Sequence, residues 1–189
     1  LWQFLDKCST TNGSKLLRSW ILSPLTDVSK INSRQNSIQT ILSLGSSKVE
    51  DYKNLLCEVH DLNRIAAKIG LSSANARDLR NLLDSIKIIF DFKSKLLSEN
   101  LSEEITVLLK KIDSEIEKSQ KILSEISSTI VDTPPLSVRE GGMIQTGVDS
   151  DLDKLHELKT GGKEWLKTFE QDEIKRSGIS TLKVRFNKV

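Results

Sequence analysis

The run from Leu101 to Ile130 restricts the fold most. Leu101, Ile105, Leu108, Ile112, Ile116, Leu123, Ile126 and Ile130 recur there at helical spacing. Only a helix gathers residues so spaced onto one face; a strand would need strict alternation. The other faces carry Glu103, Lys110, Asp113, Glu117, Lys118, Lys121 and Glu125. Mixed charges at these intervals read as a solvated surface. Such a helix runs on the order of 45 Å, and its apolar stripe must be buried against something. Coiled-coil pairing is one way to bury it, although the stripe covers only about four heptads.

The rest of the chain repeats the same pattern. The polar cluster Cys8 to Gly13 opens a short helix bearing Leu16, Leu17, Trp20 and Ile21, and Pro24 stops it. Thr26-Asp27 offers a cap for a second helix carrying Val28, Ile31, Ile38, Ile41 and Leu42, which Gly45 with Ser46-Ser47 ends. A third helix is expected over roughly 48–59, and a short one around Arg64–Ile69, closed by Gly70. Residues 76–98 carry Leu79, Leu82, Leu83, Ile86, Phe90 and Leu97 as a buried stripe.

After Ile130 the pattern breaks at Asp132-Thr133-Pro134-Pro135, and the glycines at 141, 142 and 147 mark an irregular connection. A last long helix, capped by Asp149 or Ser150, carries Leu152, Leu155, Leu158, Trp165, Leu166 and Phe169. Gly161-Gly162 invites a bend in it, because each glycine costs roughly 1 kcal/mol relative to Ala in a helix. Gly178 ends it. Leu182, Val184 and Phe186 then alternate with Lys183, Arg185 and Asn187, the period of a half-exposed strand. The expected class is all-α, a helical core with long helices and a short β-strand segment at the C-terminus.

Composition removes whole function classes. A formal net charge of +2 with 29% charged residues gives no global attraction to polyanions, so any nucleic-acid surface is local. Cys8 and Cys57 lack the spacing of a disulfide scaffold and read as reduced core thiols in a cytosolic protein. No apolar run approaches membrane-spanning length. The chain starts on Leu1-Trp2 without a methionine and ends in a strand-like run, so a fragment of a longer protein is expected.

Catalytic motifs fail on inspection. Gly161-Gly162-Lys163 mimics half of a phosphate-binding loop, but the earlier glycine and the Ser/Thr after the lysine are missing. Cys57 and His60 have the spacing of half a zinc site, with no second pair to complete it. Neither histidine lies near a Ser-containing nucleophile motif. Lys175, Arg176, Lys183, Arg185 and Lys188 cluster near the C-terminus, diluted by Asp172 and Glu173. They read first as a charge-protected edge and second as contacts to DNA phosphates, sequence-independent for want of exposed aromatics.

Ordered motifs carry a resemblance. Leu5-Asp6, Gly13, Leu17, Trp20 and Pro24-Leu25, then Ile31 and Arg34-Gln35, resemble the start of the helical core of bacterial MutS-type DNA mismatch-repair proteins. Asp61-Leu62-Asn63-Arg64 resembles that family's Asp-Leu-Glu-Arg, with Asn63 in place of Glu. Asn75-Ala76-Arg77-Asp78-Leu79 resembles its Asn-Pro-Arg-Asp-Leu, with Ala76 in place of Pro. Val131-Asp132-Thr133-Pro134-Pro135, Arg139-Glu140-Gly141-Gly142-Met143-Ile144 and Thr181-Leu182-Lys183-Val184 are similar to the segments that follow.

The resemblance implies a division into a helical core over 1–132, an irregular connector over 133–148, a lever helix over 149–170 and the start of a DNA clamp over 171–189. It implies no catalysis in this chain. ATP and Mg belong to a separate domain of the intact protein, which by resemblance is a homodimer on duplex DNA in the bacterial cytoplasm, with no membrane partner. The stripe Leu152 to Phe169 would then be covered by a returning lever. A helical scaffold or coiled-coil adaptor unrelated to DNA is the competing class, and an enzyme the third.

Overall fold

The computed structural model describes residues 1–184, without the side chains of Thr160 and Lys163. It divides into two compact units, Leu1–Ile144 and Gln145–Val189. The first holds α1 (Trp2–Leu5), α2 (Thr11–Leu22), α3 (Val28–Ser43), α4 (Ser46–Cys57), α5 (Leu62–Gly70), α6 (Ala76–Leu97) and α7 (Glu103–Thr129). A 3₁₀ turn at Val138–Glu140 follows, and the second unit is built on α8 (Ser150–Ser177).

Local chemistry explains where the helices start. Thr10 accepts the Gly13 N–H at 2.9 Å and opens α2. A Cβ added at Gly13 would come within 2.9 Å of the Thr10 hydroxyl, so the cap requires glycine there. Asp27, Asp61, Ser102 and Asp149 each accept N–H bonds at the start of their helices. Asn75 and Asp78 form a reciprocal capping box at the start of α6, so alanine at the first helical position is tolerated. Gly178 takes the left-handed conformation (φ 71°) that terminates α8.

The core lies between α6 and α7. Leu96, Ile105 and Leu109 are buried together, with Ile41, Leu44, Tyr52, Phe92, Leu101 and Ile112 packed around them. Tyr52 meets Phe92 edge-on, ring centres 5.6 Å apart. Ile65 and Leu83 extend the buried surface, and Leu123 and Ile130 continue it along α7.

Several expectations change. The buried face of α7 runs through Leu109, 3% exposed, and not Leu108, 58% exposed. Likewise α6 buries Leu96, and Leu97 and Phe90 face outward. Cys8 and Cys57 are both exposed, not core thiols. α4 ends at Cys57, so Cys57 and His60 do not share a helical turn. α8 is continuous through Gly161-Gly162. No strand forms among the described residues, and the Val184 N–H that a ladder would use goes to the Glu170 carboxylate at 2.7 Å. The rest of the expected strand, with Arg185, Phe186 and Lys188, lies outside the described residues.

The register change is testable. Leu109→Ala should lower unfolding stability by about 2–4 kcal/mol through lost transfer energy and a cavity, while Leu108→Ala costs under ~1 kcal/mol. Urea titrations of both variants check this; equal losses would put the seam elsewhere.

Candidate functional site

The singled-out residues separate into helix fasteners and a basic end on α8. Among the fasteners, Asp6 accepts the Ser14 hydroxyl and the Cys8 N–H, tying α1 to α2. These bonds, the serine's first, hold its carboxyl below the usual range. The Arg34 guanidinium stacks 3.7 Å from the centre of the Trp20 ring, joining α3 to α2. Asp61 caps α5 through the Arg64 N–H and pairs with Lys15 at 2.7 Å. The Lys15 bond leads in lowering its pKa.

The most buried fastener joins α5 to α6. Lys68 Nζ donates to both Asp78 oxygens, at 2.9 and 2.8 Å, and Asp78 also accepts the Asn75 N–H. Asp78 is 5% exposed and its carboxyl is held below the usual range, first by Lys68 and then, against the cost of burial, by the Asn75 amide. Ser85, fully buried on α6, accepts the His60 N–H at 3.0 Å and anchors the turn after α4. The Asn75-x-x-Asp78 spacing of a capping box is readable from sequence; the Lys68 partnership is not.

The basic end of α8 is less open than its sequence suggests. Arg176 donates to Glu173 at 3.0 and 2.8 Å, and Lys175 lies 3.9 Å from Asp172. Both cations sit in the last turn, where the helix dipole favours positive charge. Lys183 makes no ion pair with a described residue and lies just past Gly178. The chain thus brings Lys175, Arg176 and Lys183 to one end of the second unit; Arg185 and Lys188 fall outside the described residues.

Elsewhere on α8, Leu155, Leu158 and Trp165 are exposed, and Trp165 stacks on Phe169 at 5.2 Å. A second apolar surface, in the first unit, is a groove lined by Leu62, Ile86, Ile89, Leu108, Ile112 and Ile116. Among the described residues, no cluster of three or more His, Cys, Asp or Glu side chains could hold a metal ion. No described helix is long and apolar enough to cross a membrane.

Long helices fastened side to side by ion pairs and caps, with apolar faces left open, define an all-α helical module. More particularly, the chain belongs to the MutS domain III family, whose pattern it matches over residues 1–186. It is 35% identical over 189 residues to the DNA mismatch repair protein MutS of Clostridium tetani, covering 100% of this chain and 21% of that protein. The Brevibacillus brevis protein of the same name is 38% identical over 192 residues, with the same coverage. That of Methanosarcina barkeri is 34% identical over 189 residues. The chain therefore spans about a fifth of the length of these relatives.

The Asp78 pair predicts a pH signature. A carboxylate with a lowered folded pKa adds stability above its ordinary pKa and loses it as pH falls through the folded value. Asp78→Asn should therefore cost about 1–3 kcal/mol near neutrality. Its gap from the unsubstituted chain should close below about pH 4. Denaturant midpoints measured at several pH values would show this; a gap constant down to pH 2 would remove Asp78 from that role.

Proposed function

We propose that this chain is the helical core and lever region of a DNA mismatch-repair protein. The family match over residues 1–186 carries that reading. The fold supports it: α7 has 27 residues and α8 has 28, each about 40 Å of stiff helix, suited to carry a positional change between distant sites. In this reading residues 1–132 form the base and 133–148 the connector. Residues 149–170 are the lever, and 171–189 begin a clamp on the DNA backbone. The intact protein would work on duplex DNA as a homodimer in the cytoplasm.

ATP and Mg, required by the intact protein in this proposal, do not fit residues of this chain. Gly161-Gly162 lies inside α8 and follows helix, where a phosphate loop must follow a strand. The chain's own part is mechanical: it holds helices in register and presents Lys175, Arg176 and Lys183 toward phosphates. This part alone is not an enzyme in the proposal.

Such cations read phosphate and not base sequence, so binding should be weak, strongly salt-dependent and equal for matched and mismatched duplex. Fluorescence anisotropy at ~50 and ~200 mM salt measures both properties. Lys175→Glu with Lys183→Glu should reduce the salt slope by about one to two, whereas Lys118→Glu on α7 leaves it unchanged. A mismatch preference that survives ~200 mM salt would overturn the sequence-independent reading.

A further inference from the structure

We propose that Arg77 and Arg80 on α6 form a latch that holds the segment 131–144 closed against the first unit and can release it without unfolding the core. Two motifs far apart in sequence meet here. Arg77 Nη2 donates to the Pro134 carbonyl at 3.2 Å, and Arg80 Nη2 lies 2.7 Å from Asp132 Oδ1. The loop these residues grip is closed at its base by an antiparallel bridge between Ile130 and Ile144, with the Val131 N–H donating to the Met143 carbonyl at 3.1 Å.

The two sides of the latch are unequal. The Arg80 side chain is 12% exposed and also lies 3.3 Å from Asp84, whereas the Asp132 side chain is 84% exposed. Opening returns an already hydrated carboxylate fully to water and leaves the guanidinium a second carboxylate on its own helix. Neither charge is stranded, so opening avoids the large penalty of an unpaired buried ion. Arginine suits this post because its guanidinium stays charged within ion-pair distance of both carboxylates, while its buried Nε makes no hydrogen bond.

The loop is built to move as a piece. Ser137 and Glu140 form a capping box around the 3₁₀ turn, so that turn carries its own hydrogen bonds. Pro134-Pro135 stiffens its start and supplies no N–H to hold it by other means. The fastening then rests on the two arginine contacts, the short bridge and the buried Pro134 ring. The segment ends at Ile144, the last residue of the first unit, so latch opening is a local event within that unit.

Hydrogen exchange on the whole chain tests the latch. Asp132→Asn, at an exposed position that cannot unfold the protein, should speed exchange at Val131 by about tenfold, and Arg77→Ala by a similar factor. Amides of α6 and α7 near Leu96 and Leu109 should keep their protection, and tryptic cleavage after Arg139 should accelerate. Added salt should weaken the Asp132 contact and bring the unsubstituted chain toward the Asp132→Asn variant. Unchanged exchange at Val131 in both variants overturns the proposal. So does a parallel loss of protection in α6 and α7, which would make the arginines general supports of the core.

Discussion

The seam between α6 and α7 is the contact on which the first unit depends. Leu96 on one helix and Ile105 and Leu109 on the other exclude water from each other, and the turn between the helices places them there. Burial of three such side chains is worth roughly 1.5–3 kcal/mol each, a large share of a typical domain's net stability. α3 packs on this seam directly through Ile41, against α7, and α4 and α5 reach it through α6 and the turn that follows it. α4 arrives by Tyr52 against Phe92 and by Lys48 paired with Glu99. α5 arrives by Lys68 on Asp78, and the loop before it by Ser85.

Against that small core, many large apolar side chains stay exposed. In the first unit Leu42, Val107, Leu108 and Ile122 are among them, and the groove there is apolar; on α8 Leu155, Leu158 and Trp165 are exposed. Contiguous exposed apolar patches mark, in general, contacts with protein or membrane or a ligand groove. A module whose own core is lean and whose open faces are apolar takes much of its stability from what covers it.

Much of this was legible in the sequence, and the misreadings share a cause. The order and most ends of the longer helices follow from caps and breakers, Asp27, Asp61, Asn75, Asp149, Pro24 and Gly178, while the four-residue α1 has no such signal and was not expected. The buried seam did not follow either, because each helix presents a Leu-Leu pair at the decisive turn, Leu96-Leu97 and Leu108-Leu109. Adjacent leucines lie about 100° apart on a helix, and a 3.6-residue period admits either one. Only the direction from which the partner approaches selects Leu96 and Leu109. The fasteners were hidden for a related reason. Lys68 with Asp78 and Arg80 with Asp132 join residues that no local rule pairs, and a charge on a helix face looks alike whether it is solvated or bridging.

The contrast between seam and fasteners bears on motion. Most inter-helix ion pairs here keep one partner well exposed, as in Lys15 with Asp61 and Lys48 with Glu99. Pairs of that kind contribute only about 0–1 kcal/mol each and can be exchanged for water at little cost. The helices do not depend on them: caps and internal hydrogen bonds maintain α6, α7 and α8 along their length. A fold with durable rods and cheap lateral ties changes the angle between rods more readily than it loses a rod. Lys68 with Asp78 departs from that rule, since its carboxylate is buried and accepts further bonds. It sits where α5 meets the start of α6, so that junction is the fixed point about which looser contacts can rearrange.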